Sequence, residues 1–538
     1  MNIGNLWRAL RGPLCVRFLP IVLAAAGASG QTIVVGTDTK TSVTIPPGFF
    51  GYSDESDANI NRQDPNCLAA ISKIQTRVVR FPGGETGNYW DWQTGLPLTN
   101  YDSGLMVFKT LYPRTPANLQ QQMALMHSTP IYMLNMLSDP QCKPPAGGLC
   151  QYTPSSPNLN YQLQWLQSAQ ALGLPVKYVE LGNEYYVSTL AGYTQVYPDP
   201  VTSSDPLAAT VYARLATQWI AAIKKQFPQA LVAAIGATST DNSSGGARRT
   251  SWNAGLFPAL VGADAITLHT YIRTALPKGT TVFDDTAAQY MLGTPFSNWA
   301  TLQKDMAQLP ANIPIWVTEY DLGDYNYPVW GTWADALLNA TMTMLYLEQP
   351  RVQIAAKYSL LENGIHAAIF SSTSGFTEGG NGFTDPPNPP KSTLWGQTAS
   401  AITLQEIAAA SLSATQAVSL TFPGAATLSG GGTSYPALYG WNFQSGTARS
   451  MVVLNLSNQS LTVDVSGLGL SGAAYDQISG APFTYVTGGL SGSPSNLTEN
   501  NGNLAGKPCA LPAYSITRIF TATPASHQPA KGRERRRP

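Results

Sequence analysis

The sequence is poor in charged side chains, which make up only 12% of its 538 residues. Lys+Arg and Asp+Glu total 31 each, so the formal net charge is zero. Proteins that bind nucleic acid or an acidic membrane surface depend on a positive field, because phosphate groups dominate those affinities. We therefore expect no nucleic-acid partner, and an uncharged or small partner instead.

Histidine is also scarce, with four residues that are spread along the chain: His127, His269, His366 and His527. None of them lies in a close His/Cys cluster in the sequence, so the usual ligands of a zinc or iron site are missing. The chain also lacks a Gly-x-Gly-x-x-Gly turn after its first predicted strand and a Gly-Lys-Ser/Thr phosphate loop. The sequence therefore predicts no metal ion and no cofactor.

Long apolar runs are absent apart from one, at 18–26, which three arginines precede and the small residues Ala-Gly-Ala follow. This pattern is typical of a secretory signal peptide, which we place at residues 1–30. The run is too short to span a bilayer comfortably, and no later segment is long enough. We therefore expect a secreted or periplasmic protein that has no membrane contact once the signal is removed.

The chain has only five cysteines, and removal of Cys15 with the signal peptide leaves an even number for an oxidising compartment. Cys142 and Cys150 flank a loop rich in Pro and Gly and are the favoured disulfide pair. Cys67 and Cys509 then either pair by elimination or are both free.

Gly (48), Pro (40), Trp (12) and Tyr (25) are plentiful, which indicates many loops and aromatic surfaces of the kind that stack on sugars and other flat ligands. A chain of this length is too long for one ordinary core. Two folded domains with terminal extensions are therefore expected.

Strands and helices alternate through residues 47–414. Eight short apolar segments, each followed by polar or Gly-rich residues, are predicted as buried parallel strands: 49–52, 77–81, 130–136, 176–181, 230–235, 265–269, 313–318 and 352–360. Segments with helical spacing of apolar residues lie between or after them: 116–127, 161–172, 206–227, 333–348 and 394–410. This order predicts an α/β fold, a (β/α)₈ TIM barrel, with an open doubly wound sheet as the structural alternative.

Beyond about residue 415 the helical pattern gives way to short alternating segments separated by Gly, Ser and Asn turns. The predicted strands are 418–422, 437–443, 450–456, 461–465, 483–486 and 514–520. They indicate a C-terminal β-sandwich at 415–523, whose edge the N-terminal strands at 31–46 would complete. The basic tail at 524–538 is predicted to be disordered.

Two carboxylates follow buried strands in this scheme. Gly182-Asn183-Glu184 follows the strand at 176–181, and Glu319 follows the strand at 313–318. The carboxyl ends of barrel strands meet at one mouth, where the active sites of such folds lie. Two carboxylates at one mouth suit glycoside hydrolysis, in which one protonates the leaving oxygen and the other attacks the anomeric carbon.

At these residues the chain resembles clan A glycoside hydrolases, in which the acid/base Glu follows an Asn on strand four and the nucleophile Glu ends strand seven. The resemblance implies that Glu184 is the acid/base and that Asn183 hydrogen-bonds the sugar hydroxyl beside the reacting carbon. It implies that Glu319 is the nucleophile. Independently of the resemblance, an attacking carboxylate must be ionised and a proton donor must arrive protonated.

The supporting residues of the clan have counterparts as well. His269-Thr270-Tyr271 resembles its His-x-Tyr segment, which implies that Tyr271 hydrogen-bonds the nucleophile. Arg80, in Arg-Phe-Pro-Gly-Gly, resembles the strand-two arginine that keeps this carboxylate ionised. Alone, His269 could equally be a core histidine and Arg80 the partner of a surface carboxylate.

Other residues near the predicted mouth allow two interpretations. Trp90 lies in an aromatic segment that either lines a sugar subsite or packs beneath a loop. Tyr185-Tyr186 follow Glu184 where several relatives have Pro or Asp, so we expect this pair to influence substrate choice and Tyr185 to bind substrate. Glu180 and Glu85 either bind substrate or act as hydrogen-bonded support, and Asp321 is a weaker candidate of the same kind.

Within the clan, the Gly-Gly turn, the Gly-Asn-Glu segment and the closing segment 511–517 resemble enzymes with an attached sandwich: arabinofuranosidases, β-xylosidases and β-glucuronidase or heparanase-like proteins. The resemblance does not resolve one family. It implies a secreted retaining glycoside hydrolase that acts on an oligosaccharide, polysaccharide or glycoside by double displacement through a covalent glycosyl-enzyme intermediate. A catalytically inactive carbohydrate-binding protein and a transglycosylase on the same barrel are the alternatives.

Overall fold

The computed structural model describes residues 32–54, 60–101, 112–187, 192–239, 246–272, 276–277, 280–323, 329–362, 365–371, 394–486 and 496–521. The predicted signal peptide at 1–30 and the predicted disordered tail at 524–538 lie outside these residues. The domain boundaries at 46/47 and 414/415 stay predictions.

Eight parallel strands close into a barrel. In chain order, and numbered one to eight below, they are Gly51–Ser53, Val78–Phe81, Thr129–Leu134, Tyr178–Leu181, Leu231–Ile235, Ala265–Ile272, Ile315–Leu322 and Val352–Tyr358. Strand eight pairs with strand one, where Lys357 lies opposite Tyr52, so the barrel has no open edge. The predicted TIM barrel is confirmed, and the open sheet is excluded.

The barrel is a packed core rather than a pore. Seven of its strands contribute to one buried apolar cluster: Val78, Ile131, Tyr178, Ala233, Ala265, Trp316, Ile354 and Ala356. Inward-pointing layers of this kind fill small barrels, because alternate residues of each strand face the axis. Space for a ligand is therefore left at the end of the barrel where the strands give way to loops.

The α-helices of the described residues are Pro65–Ile71, Pro116–Met126, Leu159–Ala171, Tyr193–Val196, Ala208–Gln226, Gly246–Leu256, Asp285–Ala307, Trp333–Leu345 and Ala399–Ser411. All five predicted helices are present, with ends that differ by a few residues. The longest helix, Asp285–Ala307, was not predicted. It contains Pro295, and an internal proline normally argues against a helix because it removes one backbone hydrogen bond.

The second β-region contains an antiparallel sheet and a smaller three-stranded sheet. The larger sheet is formed by Gly36–Thr37, Val43–Thr44, Gln416–Thr421, Leu438–Ser445, Ala448–Asn455, Ala474–Ser479, Thr498–Asn503 and Ser515–Phe520. The smaller sheet is formed by Ile33–Val34, Leu461–Asp464 and Cys509–Leu511. A separate apolar core lies between them.

The N-terminal strands belong to this β-region, as predicted. Gly36–Thr37 and Val43–Thr44 pair with Gln416–Thr421, and Ile33–Val34 pairs with Leu461–Asp464. The two ends of the described chain therefore meet in one structure on the side of the barrel.

Contacts between the two regions bury the outer face of a barrel helix. Every residue of Trp333–Leu345 is buried. The backbone N–H of Trp333 donates to the carbonyl of Thr484, and its indole Nε1 donates to the carbonyl of Tyr514. No face of this helix is exposed, and its few polar residues, such as Asp335 and Asn339, are buried as well.

One predicted strand of the sandwich is wrong. Residues 483–486 form no strand, and only Tyr485 makes an isolated bridge, to Thr332. Several strands were missed: Thr427–Gly430, Thr433–Pro436, Ala474–Ser479, Thr498–Asn503 and Cys509–Leu511. Thr498–Asn503 is polar throughout and mostly exposed, so it carries no alternation, and its strand conformation depends on pairing with its neighbour.

The predicted disulfide between Cys142 and Cys150 is confirmed. Cys67 and Cys509 are buried free thiols, which decides between the two alternatives left by the sequence.

Within the described residues, no helix combines the length and the apolarity that a membrane span requires.

Candidate active site

Glu319 is held by an irregularity in the seventh strand. This strand continues past Glu319 to Leu322, so the residue lies within the strand rather than after it as predicted. Its pairing shifts register on both sides, with Leu268 opposite Val317 but His269 opposite Glu319. A β-bulge of this kind re-aims side chains and is frequent beside active sites.

Both carboxylate oxygens of Glu319 accept hydrogen bonds. Arg80 Nη1 lies 2.6 Å from Oε1, and the hydroxyl of Tyr271 donates to Oε2 over 2.6 Å. Arg80 is fully buried, and it also donates from Nη2 to Asn183 Oδ1 over 2.7 Å and from Nε to Glu180. The arginine of strand two thus connects strands four and seven.

Glu180 is support rather than a group open to substrate. Its side chain is buried within strand four, where Oε2 accepts from Arg80 and Oε1 accepts from the hydroxyl of Thr318 over 2.9 Å. Burial would lower the pKa of Arg80, but the charges of Glu180 and Glu319 outweigh it and raise that pKa. The arginine therefore stays charged at any working pH.

Glu184 stands on a turn that requires glycine before it. Gly182 has a φ of 89°, and a Cβ at this position would lie 2.2 Å from the ring of Tyr185. Glu184 itself has a φ of 51°, which is uncommon for a residue with a side chain and costs about 1 to 3 kcal/mol. Such outliers concentrate at active sites, where the surrounding structure imposes them.

The carboxylate of Glu184 is held from one side. His269 Nδ1 lies 2.8 Å from its Oε1, and the hydroxyl of Tyr186 donates to the same oxygen over 2.8 Å. The same His269 Nδ1 lies 3.3 Å from Glu319 Oε2. One oxygen of Glu184, one oxygen of Glu319 and a ring nitrogen of His269 all lie within 4.8 Å of one another. His269 thus stands between the two carboxylates.

These contacts set opposite pKa shifts in the pair. Burial would raise the pKa of Glu184, but His269, Arg249 and Tyr186 outweigh it and lower the value to about 2. Burial would lower the pKa of His269, but Glu319 and Glu184 outweigh it, so the net shift is upward. Both shifts favour a proton on His269 over a proton on Glu184.

A third carboxyl group faces the same mouth. Glu85 is half-buried in the 3₁₀ turn Glu85–Tyr89, which follows strand two. Burial first, and then the charges of Glu184 and Glu319, raise its pKa to about 7. A carboxyl with this pKa is partly protonated at neutral pH and can donate a hydrogen bond as well as accept one.

Glu184, His269 and Glu319 are chemically able to ligate a divalent cation. Both oxygens of Glu319 are already engaged by Arg80 and Tyr271, so a metal ion would have to displace one of these hydrogen bonds. The guanidinium charge 2.6 Å from Glu319 opposes a second cation at this position. The geometry fits an ionised carboxylate better than a metal ligand.

Trp90 and Tyr185 are both buried, and for Trp90 this agrees with the interpretation that its ring packs beneath a loop. Trp90 is 2% exposed, and its ring packs against Phe81 and Trp165. Tyr185 is 0% exposed, and its hydroxyl accepts from the backbone N–H of Met136 over 3.1 Å. Both rings support the loops from behind, so neither contacts a substrate in this structure.

Two further residues, Tyr186 and Arg249, shape the site. Tyr186, and not Tyr185, reaches Glu184, because the turn at positive φ reverses the direction of the following side chains. The guanidinium of Arg249 lies 4.6 Å from the centre of the Tyr186 ring and contributes to the lowered pKa of Glu184. The position of Tyr186 two residues after Glu184 was a possible signal, whereas nothing in the sequence pointed to Arg249.

Asn88 was also missed. Its Nδ2 donates to the carbonyl of Asn183 over 3.0 Å, and the N–H of Asn183 donates to its Oδ1 over 3.1 Å. With Oδ1 of Asn183 bonded to Arg80, the side-chain Nδ2 of Asn183 has no partner among the described residues. This amide is therefore open to a ligand in the mouth.

No family model matches the chain, and no curated protein matches its sequence. Solved structures do match its fold. One is a family 51 α-L-arabinofuranosidase from Bifidobacterium longum, with a TM-score of 0.62, 15% identity, and coverage of 91% of this chain and 99% of that one. A GH51 arabinofuranosidase from Xanthomonas axonopodis pv. citri matches with a TM-score of 0.61, 16% identity, and the same two coverages.

A third match is a 4-O-α-L-rhamnosyl-β-D-glucuronidase from Fusarium oxysporum 12S, with a TM-score of 0.54, 12% identity, and coverage of 91% of this chain and 100% of that one. Identities this low establish similarity of architecture and leave the chemistry to be argued from the residues. The chain therefore has the barrel-and-sandwich fold of GH51 arabinofuranosidases and of this glucuronidase.

Proposed function

We propose that the protein is a retaining glycoside hydrolase with Glu319 as nucleophile and Glu184 as acid/base. The observation that carries the proposal is the approach of the two carboxylates, whose nearest oxygens lie within 4.8 Å. Retaining enzymes hold their carboxyl groups about 5 to 5.5 Å apart, whereas inverting enzymes leave about 6.5 to 9.5 Å for a water molecule. The fold and the strand positions of both residues support the same assignment.

In the first step, an oxygen of Glu319 forms a bond to the anomeric carbon while the bond from that carbon to the leaving oxygen breaks. Arg80 holds Glu319 through Oε1, and the hydroxyl of Tyr271 orients it through Oε2. The open Nδ2 of Asn183 donates to the sugar hydroxyl next to the reacting carbon, an interaction that strengthens in the transition state.

The leaving oxygen receives its proton from Glu184. In the free protein that proton resides on His269, one hydrogen bond away from Glu184 Oε1. A proton passes from His269 Nδ1 to Glu184 and converts it to the carboxylic acid. This acid then passes the proton to the leaving oxygen as the leaving alcohol departs. The arrangement resolves the conflict between the low pKa of Glu184 and its role as an acid.

The second step uses the same groups in the opposite direction. Once Glu319 is an ester it carries no charge, so His269 loses one of the two anions that raise its pKa. Glu184, again a carboxylate, removes a proton from water as the water attacks the anomeric carbon. The bond to Glu319 then breaks, and the sugar leaves with its original anomeric configuration.

A panel of 4-nitrophenyl glycosides tests the proposal, beginning with α-L-arabinofuranoside, β-D-xyloside and β-D-glucuronide, which follow from the activities of the structural neighbours and from the resemblance. We expect turnover of at least one glycoside, with NMR showing that the first-formed sugar retains its anomeric configuration. Glu319→Gly is expected to abolish this turnover, and added chelator is expected to leave it unchanged.

Three outcomes would contradict parts of the proposal. Absence of turnover on any glycan would favour a binding protein, and full activity of Glu319→Gly would refute the nucleophile assignment. A first-formed sugar of inverted configuration would refute the double displacement. Transfer to added sugar acceptors at the expense of hydrolysis would identify a transglycosylase, which shares the covalent intermediate.

We also propose that the protein is secreted after removal of residues 1–30. The disulfide between Cys142 and Cys150 supports this, because disulfides persist mainly in oxidising compartments. Expression of the whole chain in a secreting host, followed by mass spectrometry of the exported N-terminus, tests it. Retention of the first 30 residues on a protein that stays inside the cell would contradict it.

A further inference from the structure

A cavity of about 90 Å³ with a mixed polar and apolar lining lies beside Tyr271. One of its walls is Tyr271, whose hydroxyl donates to Glu319. A water molecule in the liquid occupies about 30 Å³, so the cavity has room for about three waters or for one small substituent, and not for a whole sugar ring. A sugar bound at Glu319 would lie next to it.

Aromatic rings make the cavity rigid. Trp330, Tyr358 and His366 line it, and the ring of His366 lies 4.6 Å from Trp330 and 5.8 Å from Tyr358, parallel to the latter within 9°. Tyr271 meets Tyr358 edge-on. Packed rings have little rotamer freedom, so the cavity can select a ligand by its size and shape.

The nearest cation is not available to a ligand. Lys357 is fully buried beneath the cavity, and its ammonium donates to Asp321 Oδ2 over 2.9 Å and to the carbonyls of Tyr358 and His366. These three partners use all the donors that an ammonium has. Asp321, which lines the cavity, is thereby neutralised by Lys357, and neither group is left to bind an anion.

Glu362 is the open acceptor of the cavity. Its Oε2 accepts from the hydroxyl of Ser359 over 2.9 Å and lies 3.0 Å from His366 Nε2, while its Oε1 bonds to no described residue. Burial would raise the pKa of Glu362, but His366, Ser359 and Lys357 outweigh it and lower that pKa. The cavity therefore presents an ionised oxygen that can accept a hydrogen bond.

We propose that this cavity binds a hydroxyl-bearing exocyclic substituent, such as a hydroxymethyl group, of an uncharged glycone, with Glu362 Oε1 as acceptor. The inference rests on the proposed function and names the substrate class of that site. A substrate carboxylate in the cavity would face Glu362 with no free cation among the described lining residues, and such like-charge contacts are costly in a buried site. The cavity therefore selects against uronic acids.

Two matched series of 4-nitrophenyl pyranosides test this, because their members differ only in the exocyclic group. The first is β-D-glucoside, β-D-xyloside and β-D-glucuronide, and the second is β-D-galactoside, α-L-arabinopyranoside and β-D-galacturonide. In the series that the protein accepts, we expect kcat/KM to be about 10-fold to 100-fold higher with hydroxymethyl than with hydrogen, because a hydrogen bond to a charged group is involved. The carboxylate member is expected to be the poorest.

Glu362→Gln provides the residue-level test. The variant is expected to lose most of the advantage of hydroxymethyl over hydrogen, while kcat/KM for the hydrogen member changes less than about 3-fold, because that substrate does not reach Glu362. The hydrogen member thus serves as the control for folding and for catalysis at Glu319. If the variant fails to fold, the wild-type series still decides.

The outcomes separate this inference from the proposed function. Equal turnover of the hydroxymethyl and hydrogen members, or preferred turnover of the carboxylate member, would overturn the inference alone. Turnover confined to glycosides without an exocyclic hydroxymethyl group would also overturn it and leave the proposed function standing. Turnover confined to α-L-arabinofuranoside, which carries such a group, would support the inference if Glu362→Gln lowers it and overturn it if Glu362→Gln does not. Absence of turnover on every glycoside would overturn both.

Discussion

The two glutamates at the mouth are chemically identical, and the comparison between them explains how the barrel assigns two roles. Glu319 lies within a strand, its side chain is 5% exposed, and both of its oxygens are bonded. Glu184 lies on a strained turn, its side chain is 16% exposed, and its contacts converge on one oxygen. The surroundings of Glu319 hold a carboxylate in one position. The surroundings of Glu184 leave one of its oxygens free to gain and lose a proton.

The partners of the two residues differ in the same way. Arg80 beside Glu319 cannot lose its charge, and its pKa is raised further by the carboxylates around it. His269 beside Glu184 is a group whose ordinary pKa lies near 6.5, and here that pKa is raised. We infer that the side of the mouth with Glu184 and His269 is sensitive to pH.

Replacement of the proton carrier gives the largest effect. Glu184→Gln is expected to lower kcat/KM by about 10² to 10⁴-fold for glycosides with poorly departing alcohols, because general acid catalysis contributes about this much. For 4-nitrophenyl glycosides, whose leaving group needs little protonation, the loss is expected to be smaller. Kinetics on the two substrate types measure the difference, and equal losses would contradict the assignment of Glu184 as acid.

A change on the nucleophile side should not depend on the leaving group. Arg80→Lys keeps the charge, but a lysine cannot contact Glu319, Glu180 and Asn183 at once. The carboxylate of Glu319 is then slightly displaced from its reactive position. We expect kcat/KM to fall by about 10²-fold on poor and good leaving groups alike. A loss confined to poor leaving groups would show that Arg80 acts on proton transfer by Glu184, and it would contradict the assignment of Arg80 to Glu319.

Adjacent tyrosines provide a matched pair of variants with a smaller effect. Tyr186→Phe removes a donor that lowers the pKa of Glu184, so this pKa should rise and kcat/KM should fall by about 3-fold to 10-fold with a shifted pH profile. Tyr185→Phe leaves the Met136 N–H without its acceptor, and it should lower the free energy of unfolding by about 1 to 3 kcal/mol with an unchanged pH profile. The reverse pattern would show that Tyr185 faces the substrate.

The smallest expected effect concerns Glu85. Its pKa is raised to about 7 in the folded protein and is about 4.3 when the chain unfolds. A carboxyl with a raised folded pKa contributes stability that is present below the unfolded pKa and is lost as pH rises toward the folded pKa. Urea unfolding should therefore show wild type losing more stability than Glu85→Gln between pH 4.5 and 7. Parallel pH dependences in the two proteins would contradict this.

Much of the fold follows from local patterns. Eight short apolar segments alternating with helical ones predicted the barrel, because buried parallel strands are apolar on both faces and the helices between them are amphipathic. The prediction failed where local signals contradict the tertiary structure. Pro295 lies inside a 23-residue helix that the packing of the barrel stabilises, and Thr498–Asn503 is a strand only because Ala474–Ser479 pairs with it.

From local patterns alone, Glu184, Glu319, Arg80 and Tyr271 were predicted at or just after strand ends that converge at one mouth, because the carboxyl ends of barrel strands meet there. Only the tertiary structure decided how they divide the work. His269 stands between carboxylates that are 135 residues apart in sequence, and the positive φ at Glu184 turns Tyr186 toward the site and Tyr185 into the core. Side-chain direction depends on backbone conformation and packing, which strand periodicity does not specify.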